Sequence, residues 1–218
     1  MKRIFLAAVM VFAVLAVAGC GDGSSPPPTV VTQILSDPTF DGDIAQDPQT
    51  GAFTVTQGNT QSVFAGIDPV TRVESRAFLD FPLSGSGGVP LNATIVSATL
   101  DIFINSIQPQ PLPGTMPVRI DLVSFQPPTL IGTDFDRTLQ PALATTIISP
   151  PISQADFGNH VAVDVTPLMV EAQRQGLVNF QLRILEDLGT VPLASIEIND
   201  TTGANRAVLA PLLEVTYF

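Results

Sequence analysis

The 218-residue chain has no tryptophan and one each of tyrosine (Tyr217), histidine (His160), cysteine (Cys20) and lysine (Lys2). Each scarcity removes a class of chemistry. A lone cysteine forbids any intrachain disulfide, so stability rests on an apolar core. Zinc sites take three or four nitrogen or sulfur ligands, which one histidine and one thiol do not supply. Asp156 and Asp164 lie near His160, but no serine sits in a Gly-x-Ser-x-Gly elbow, and His160 reads as a surface or turn residue opening a strand. Cations are also few: 9 Lys+Arg against 20 Asp+Glu give a formal net charge of −11. Nucleic acid binding draws on basic side chains that displace counterions from phosphates, so no nucleic acid partner is expected. Electrostatic adhesion to anionic lipid is disfavoured for the same reason.

What is present begins at the N-terminus. Met1-Lys2-Arg3 precedes an apolar run from Ile4 to Ala18, followed by Gly19-Cys20. Basic residues hold the start on the cytoplasmic side while the run enters the translocon, and the run is shorter than the ~20 residues a spanning helix needs. Val17-Ala18-Gly19-Cys20 resembles the lipobox of bacterial lipoproteins, with small residues before a cysteine whose thiol takes diacylglycerol. Residues 1–19 are therefore expected to be a lipoprotein signal peptide, with lipidation at Cys20 and a membrane partner reached through that lipid. Buried acyl methylenes contribute ~0.8 kcal/mol each. Removing Lys2 and Arg3 takes the formal charge to −13 and leaves no lysine. Gly21, not Asp, follows the cysteine, which in a two-membrane bacterium favours delivery to the outer membrane or cell surface.

Gly21 to Thr29 is Gly-Asp-Gly-Ser-Ser-Pro-Pro-Pro-Thr, slack and then extended, so residues 20–40 are assigned to a tether and 41–218 to one domain. Within that domain apolar and polar residues alternate repeatedly. Ala98, Leu100, Ile102 and Ile104 share one face, opposite Thr99, Asp101 and Phe103. The same pattern recurs at Val118–Leu122, Val161–Val165, Phe180–Ile184, Ile196–Ile198 and Leu213–Tyr217, with further strands predicted at Ala52–Thr56, Ser62–Ile67 and Arg76–Phe81. Period two places each segment in a half-buried strand, and many short strands between Pro, Gly, Asn and Asp turns predict an all-β antiparallel sandwich. One short helix is predicted over residues 167–175, with Thr166 as cap, Pro167 at its first position and Gly176 after its last turn. It should close one end of the sandwich.

The candidate sites are sparse. Asp41-Gly42-Asp43 and Asp134-Phe135-Asp136 place carboxylates two apart, making Asp41, Asp43, Asp134 and Asp136 candidate calcium ligands, against the alternative that they bind turn amides. No other cofactor is expected. Asp101, Asp121, Asp164, Glu197 and Glu214 fall on the outward strand phase, which suits a solvated face that discourages edge pairing. Phe78 and Phe103 break phase with their apolar neighbours, which puts them under a covering loop, the favoured reading, or on an exposed face.

Four segments, in order, resemble the DNRLRE-domain family of secreted β-sandwich modules. They are Ser75-Arg76-Ala77-Phe78-Leu79-Asp80-Phe81-Pro82-Leu83, the stretch from Val89-Pro90 through Ala98-Thr99-Leu100, Val163-Asp164-Val165-Thr166 with the helix and Gly176, and Ala210-Pro211-Leu212-Leu213-Glu214-Val215-Thr216-Tyr217. The match spans roughly Asp41 to Phe218. The resemblance implies a jelly-roll-like, non-catalytic module related to carbohydrate-binding modules. The expected role is thus a non-catalytic envelope lipoprotein presenting a binding or structural module, with a polysaccharide or envelope protein as partner. The missing tryptophan departs from the aromatic platforms on which sugar rings usually stack. The competing expectation is a polysaccharide-acting enzyme that uses paired carboxylates, whose spacing only the fold can supply.

Overall fold

The computed structural model describes residues 27–125, 128–187 and 193–218, and Cys20 lies outside them. Its strands are β1 (Val30–Leu35), β2 (Gly42–Gln46), β3 (Phe53–Gln57), β4 (Ser62–Ile67), β5 (Glu74–Pro82), β6 (Ile95–Gln108) and β7 (Thr115–Met116). They continue with β8 (Val118–Val123), β9 (Ala144–Ile147), β10 (Ile152–Ser153), β11 (His160–Asp164), β12 (Asn179–Glu186), β13 (Ser195–Asn199) and β14 (Leu212–Tyr217). Two short helices, α1 (Thr166–Arg174) and α2 (Arg206–Leu209), accompany them. Twelve strands join one curled antiparallel sheet, and β7 pairs separately with β10. The fold is the antiparallel, jelly-roll-like β-sandwich expected, and the helix falls where its start and stop residues put it.

The curl makes two layers. In the front layer the strands run β1-β14-β6-β11. In the back layer they run β3-β2-β5-β12-β8-β9. Strand β6 belongs to both ends of the curl. Its first part pairs with β14 and β11, and from Ile104 onward it pairs with β13, which continues to β4 and the start of β5. A register shift at Glu197/Ile198 in β13 marks the change of direction, as bulges do where strands turn a sandwich corner. The inward side chains of both layers, among them Leu100, Ile102, Val163, Leu213, Val215, Leu79, Phe81, Phe180, Leu182 and Ile120, form one dry core.

Helix α1 inserts Leu168, Met169 and Ala172 into that core, and Gly176 beyond it has the left-handed φ of +66° that favours glycine. Thr166, however, is not its cap. The Thr166 hydroxyl accepts from the Ala98 amide at 2.9 Å, tying the helix start to β6, while Asp164 Oδ1 accepts from the Thr166 amide at 2.9 Å. The N-cap position falls on Val165, which supplies no side-chain cap, and the Asp164 bond from two residues earlier steadies the entry to the helix.

The folded unit also begins earlier than the predicted boundary at residue 41. Val30–Leu35 pairs along β14 from Val30↔Tyr217 to Leu35↔Leu212. Its signal is weak because only Ile34 reaches the core fully.

The back layer departs most from the half-buried expectation. Every residue of β12 from Phe180 to Glu186 is buried, because the segment 128–143 lies across the outer face of β12 and β8. A second apolar cluster of Ile44, Phe78, Val123, Phe125, Leu130 and Phe135 fills the space beneath it. Phe78 is thus covered as predicted, packing edge-on against Phe125 with centroids 6.0 Å apart. Arg183, fully buried, fastens the cover. It donates to Asp121 Oδ2 at 2.8 Å and to the carbonyls of Asp134 and Gln140 at 2.9 and 3.0 Å. Asp121 also accepts from Arg137 at 3.1 Å and Thr145 at 3.0 Å. Arg76 adds a bond to the Phe135 carbonyl, its guanidinium 3.9 Å from the Phe135 ring centroid. Asp121, expected on a solvated face, is instead completely buried.

Candidate functional site

Among the described residues no segment of this kind covers the outer face of the front layer, and its chemistry is set by pairing register. Outward positions alternate with the core residues already named: Gln33 on β1, Leu212 and Glu214 on β14, Thr99, Asp101 and Phe103 on β6, and His160 and Ala162 on β11. The register places Gln33 opposite Glu214, Glu214 opposite Thr99, Asp101 opposite both Leu212 and Ala162, and Phe103 opposite His160. Between them lies an open groove of about 350 Å³, lined by Gln33, Thr99, Asp101, His160, Leu212 and Glu214 among others.

Two polar pairs organise this groove. His160 Nδ1 lies 3.1 Å from the Asp101 carboxylate, with side-chain exposures of 42% and 35%. Gln33 Nε2 donates to Glu214 Oε2 at 2.8 Å. Exposed contacts of this sort add under about 1 kcal/mol to stability, so their effect is to hold donors and acceptors at fixed positions on a rigid sheet. Phe103 is half-buried at one end of the groove, its ring 5.1 Å from the imidazole at an interplanar angle of 72°. Among the described residues no loop covers Phe103, since β11 ends the layer at that side and His160 packs against the ring.

Asp101 and Glu214 are diagonal neighbours across the β6–β14 pair, a relation that sets Cα atoms ~7–8 Å apart. The arrangement offers hydrogen-bonding groups, with a half-buried aromatic ring beside them, to a ligand lying along an open sheet.

The four aspartates named as calcium candidates are placed differently from one another. Asp134 Oδ2 accepts from the Ile131 amide at 2.9 Å, and Asp136 Oδ1 accepts from the amide and hydroxyl of Thr138, both at 2.7 Å. These two carboxylates serve separate turns, and the Thr138 bonds hold the Asp136 carboxyl below its usual value. Asp43 is buried on β2, and desolvation pushes its carboxyl up to about 6 while the Phe64 amide pulls it back. Asp41 is fully buried just before β2, with Oδ1 accepting from the Asp80 amide at 2.7 Å. Its carboxyl is raised well above the ordinary range, first by burial and then by Asp200. Asp200, at the end of β13, was not singled out by sequence because no local spacing links it to Asp41. Among the described residues no group of three or more His, Cys, Asp or Glu side chains converges.

No protein-family model matches the chain, and no curated protein matches it.

Proposed function

We propose that the chain is a non-catalytic cell-envelope lipoprotein of DNRLRE-like type, anchored through lipid on Cys20, whose sandwich binds a neutral polysaccharide along the outer face of the front layer. The observation that supports this reading best is the uncovered groove in which Gln33, Asp101, His160 and Glu214 are held by cross-strand pairing beside the Phe103 edge. Sugar hydroxyls both donate and accept, which suits a face offering carboxylates, an amide and an imidazole. The formal charge of −13 on residues 20–218 disfavours acidic polymers.

The enzyme alternative draws on the diagonal placement of Asp101 and Glu214. Binding is preferred because the sheet face is open and its polar side chains are held in cross-strand pairs along it.

Two experiments test the proposal. Metabolic labelling with an alkyne fatty acid should tag the wild-type protein and leave Cys20→Ala untagged. An unlabelled wild type would refute the anchor. The purified mature protein, probed against neutral and acidic glycans with and without calcium, should retain neutral ones. Silence in every arm would leave a structural or protein-binding role, and hydrolysis of a retained glycan that Asp101→Asn abolishes would establish the enzyme.

A further inference from the structure

Three strand ends meet in a buried polar cluster. Ser36 follows β1, Asp41 precedes β2 and Asp200 follows β13. Their exposures are 1%, 0% and 0%. In each residue one oxygen lacks a hydrogen-bond partner: Ser36 Oγ, Asp41 Oδ2 and Asp200 Oδ1. The Ser36 hydroxyl and the Asp200 carboxyl both face the Asp41 carboxyl at close range, so the three oxygens have one another as neighbours. The other oxygens are already used. Asp41 Oδ1 accepts from the Asp80 amide at 2.7 Å, and Asp200 Oδ2 from the Thr60 hydroxyl at 3.3 Å.

Buried oxygens without partners are costly and uncommon in folded proteins, and three in one place point to a missing electrophile. We propose that Ser36 Oγ, Asp41 Oδ2 and Asp200 Oδ1 form the protein side of a divalent-cation site, selective for calcium, that ties the ends of β1, β2 and β13 together.

The charges fit. Among the described residues Arg206 is the cation beside the pair, with Nη1 3.9 Å from Asp200 Oδ1 and Nη2 donating to the Ser36 carbonyl. Asp37 adds a further negative charge near Asp200. One guanidinium at that distance leaves the two carboxylates with net negative charge in a dry setting, and a hard cation cancels it while taking all three free oxygens at once. Calcium accepts six to eight oxygens in irregular geometry, whereas magnesium demands a near-ideal octahedron and keeps several waters. A buried cluster of protein oxygens drawn from three separate strand ends suits the former.

A shared proton between Asp41 and Asp200 is the rival arrangement, and thermal unfolding separates the two. Full-length protein in detergent is stripped with EDTA at pH 7.5 and melted with added calcium or magnesium. Calcium at a hundredfold excess over its Kd should raise Tm by roughly 5–10 °C, magnesium by less, and titration calorimetry should count one calcium per chain. Asp200→Asn should lose the calcium shift while melting without metal at least as high as wild type, since it removes one buried carboxylate. Asp136→Asn should keep the shift. A wild-type Tm indifferent to calcium but rising on acidification would overturn the proposal in favour of the proton, and so would an Asp200→Asn variant that keeps the full shift. If Asp41→Ala fails to fold for want of its bond to the Asp80 amide, Asp200→Asn still decides.

Discussion

Replacing Asp121 with alanine should expose how the covering segment of the back layer is held. In the wild type Asp121 Oδ2 lies 2.8 Å from Arg183 and 3.1 Å from Arg137, and both Asp121 and Arg183 are fully buried. Burial already lowers the Arg183 pKa, and the charges of Arg76 and Arg137 act in the same direction, with Asp121 the opposing influence. Without the carboxylate, a guanidinium stays in the interior facing two others. Breaking a buried ion pair by removing one partner costs about 3–5 kcal/mol. For a domain of this size each kcal/mol moves Tm by roughly 2–4 °C, so Asp121→Ala should melt some 6–20 °C below wild type. The double variant Asp121→Leu/Arg183→Met should recover most of that loss, because two apolar groups leave no charge unpaired. It should not recover the bonds from Arg183 to the Asp134 and Gln140 carbonyls. Circular dichroism melts give the first quantity, and amide hydrogen exchange over residues 128–143 gives the second. The reasoning fails if Asp121→Ala melts within about 2 °C of wild type, or if the double variant protects residues 128–143 as well as the wild type does.

Three further outcomes follow from the same structure. Gly66 has a φ of +113°, and a Cβ there would run into the Ala194 carbonyl, so Gly66→Ala should cost about 3 kcal/mol in urea unfolding; a loss under about 1 kcal/mol would contradict the contact. Glu186 is raised to about 7, first by burial and then by Glu74, with the Ile67 amide opposing and nearby Arg119 held by Asp187 at 2.7 Å. The folded state therefore binds more protons than the unfolded state between its ordinary value near 4.5 and about 7. Stability from this group is full below that window and declines as pH rises through it, so Glu186→Gln should flatten the Tm–pH curve and melt higher than wild type at pH 8; an unchanged curve would count against it. Phe103→Ala should weaken glycan retention on the front face while shifting Tm by only a few degrees, since the ring is half-buried and outside both apolar clusters; undiminished retention would move the binding face elsewhere.

Much of the front layer could be read directly from alternation. Val161–Val165 and Leu213–Tyr217 each have one face in the core and one in water, so residue type and exposure coincide. The back layer misleads for the opposite reason. Gln181 and Arg183 look solvated by type, yet a segment of the same chain lies over them and supplies the partners that make their burial affordable. Strand β2 was invisible because Gly-Asp-Ile-Ala-Gln presents a single large apolar residue. The groove was half-legible: Asp101 and Glu214 were outward by phase, but the meeting of His160 with Phe103 and Asp101 is a property of register between β6 and β11, which alternation alone leaves free by steps of two. The pairing of Asp41 with Asp200 is more remote still, since it depends on how the whole curl closes.

Strand β1 gives the sandwich a mechanical polarity. Under the proposed lipid anchor, load would enter the sandwich at Val30, opposite Tyr217, while the groove residues Gln33 and Glu214 and the Leu35–Leu212 end lie further along the same ladder. A ligand drawn away from the membrane would therefore pull β1 along its own axis against β14. Load applied in that direction is shared by the whole set of cross-strand bonds at once, where a pull across the strands would open them singly. On the proposed reading, the sandwich would resist tension best when that tension comes from the ligand it holds.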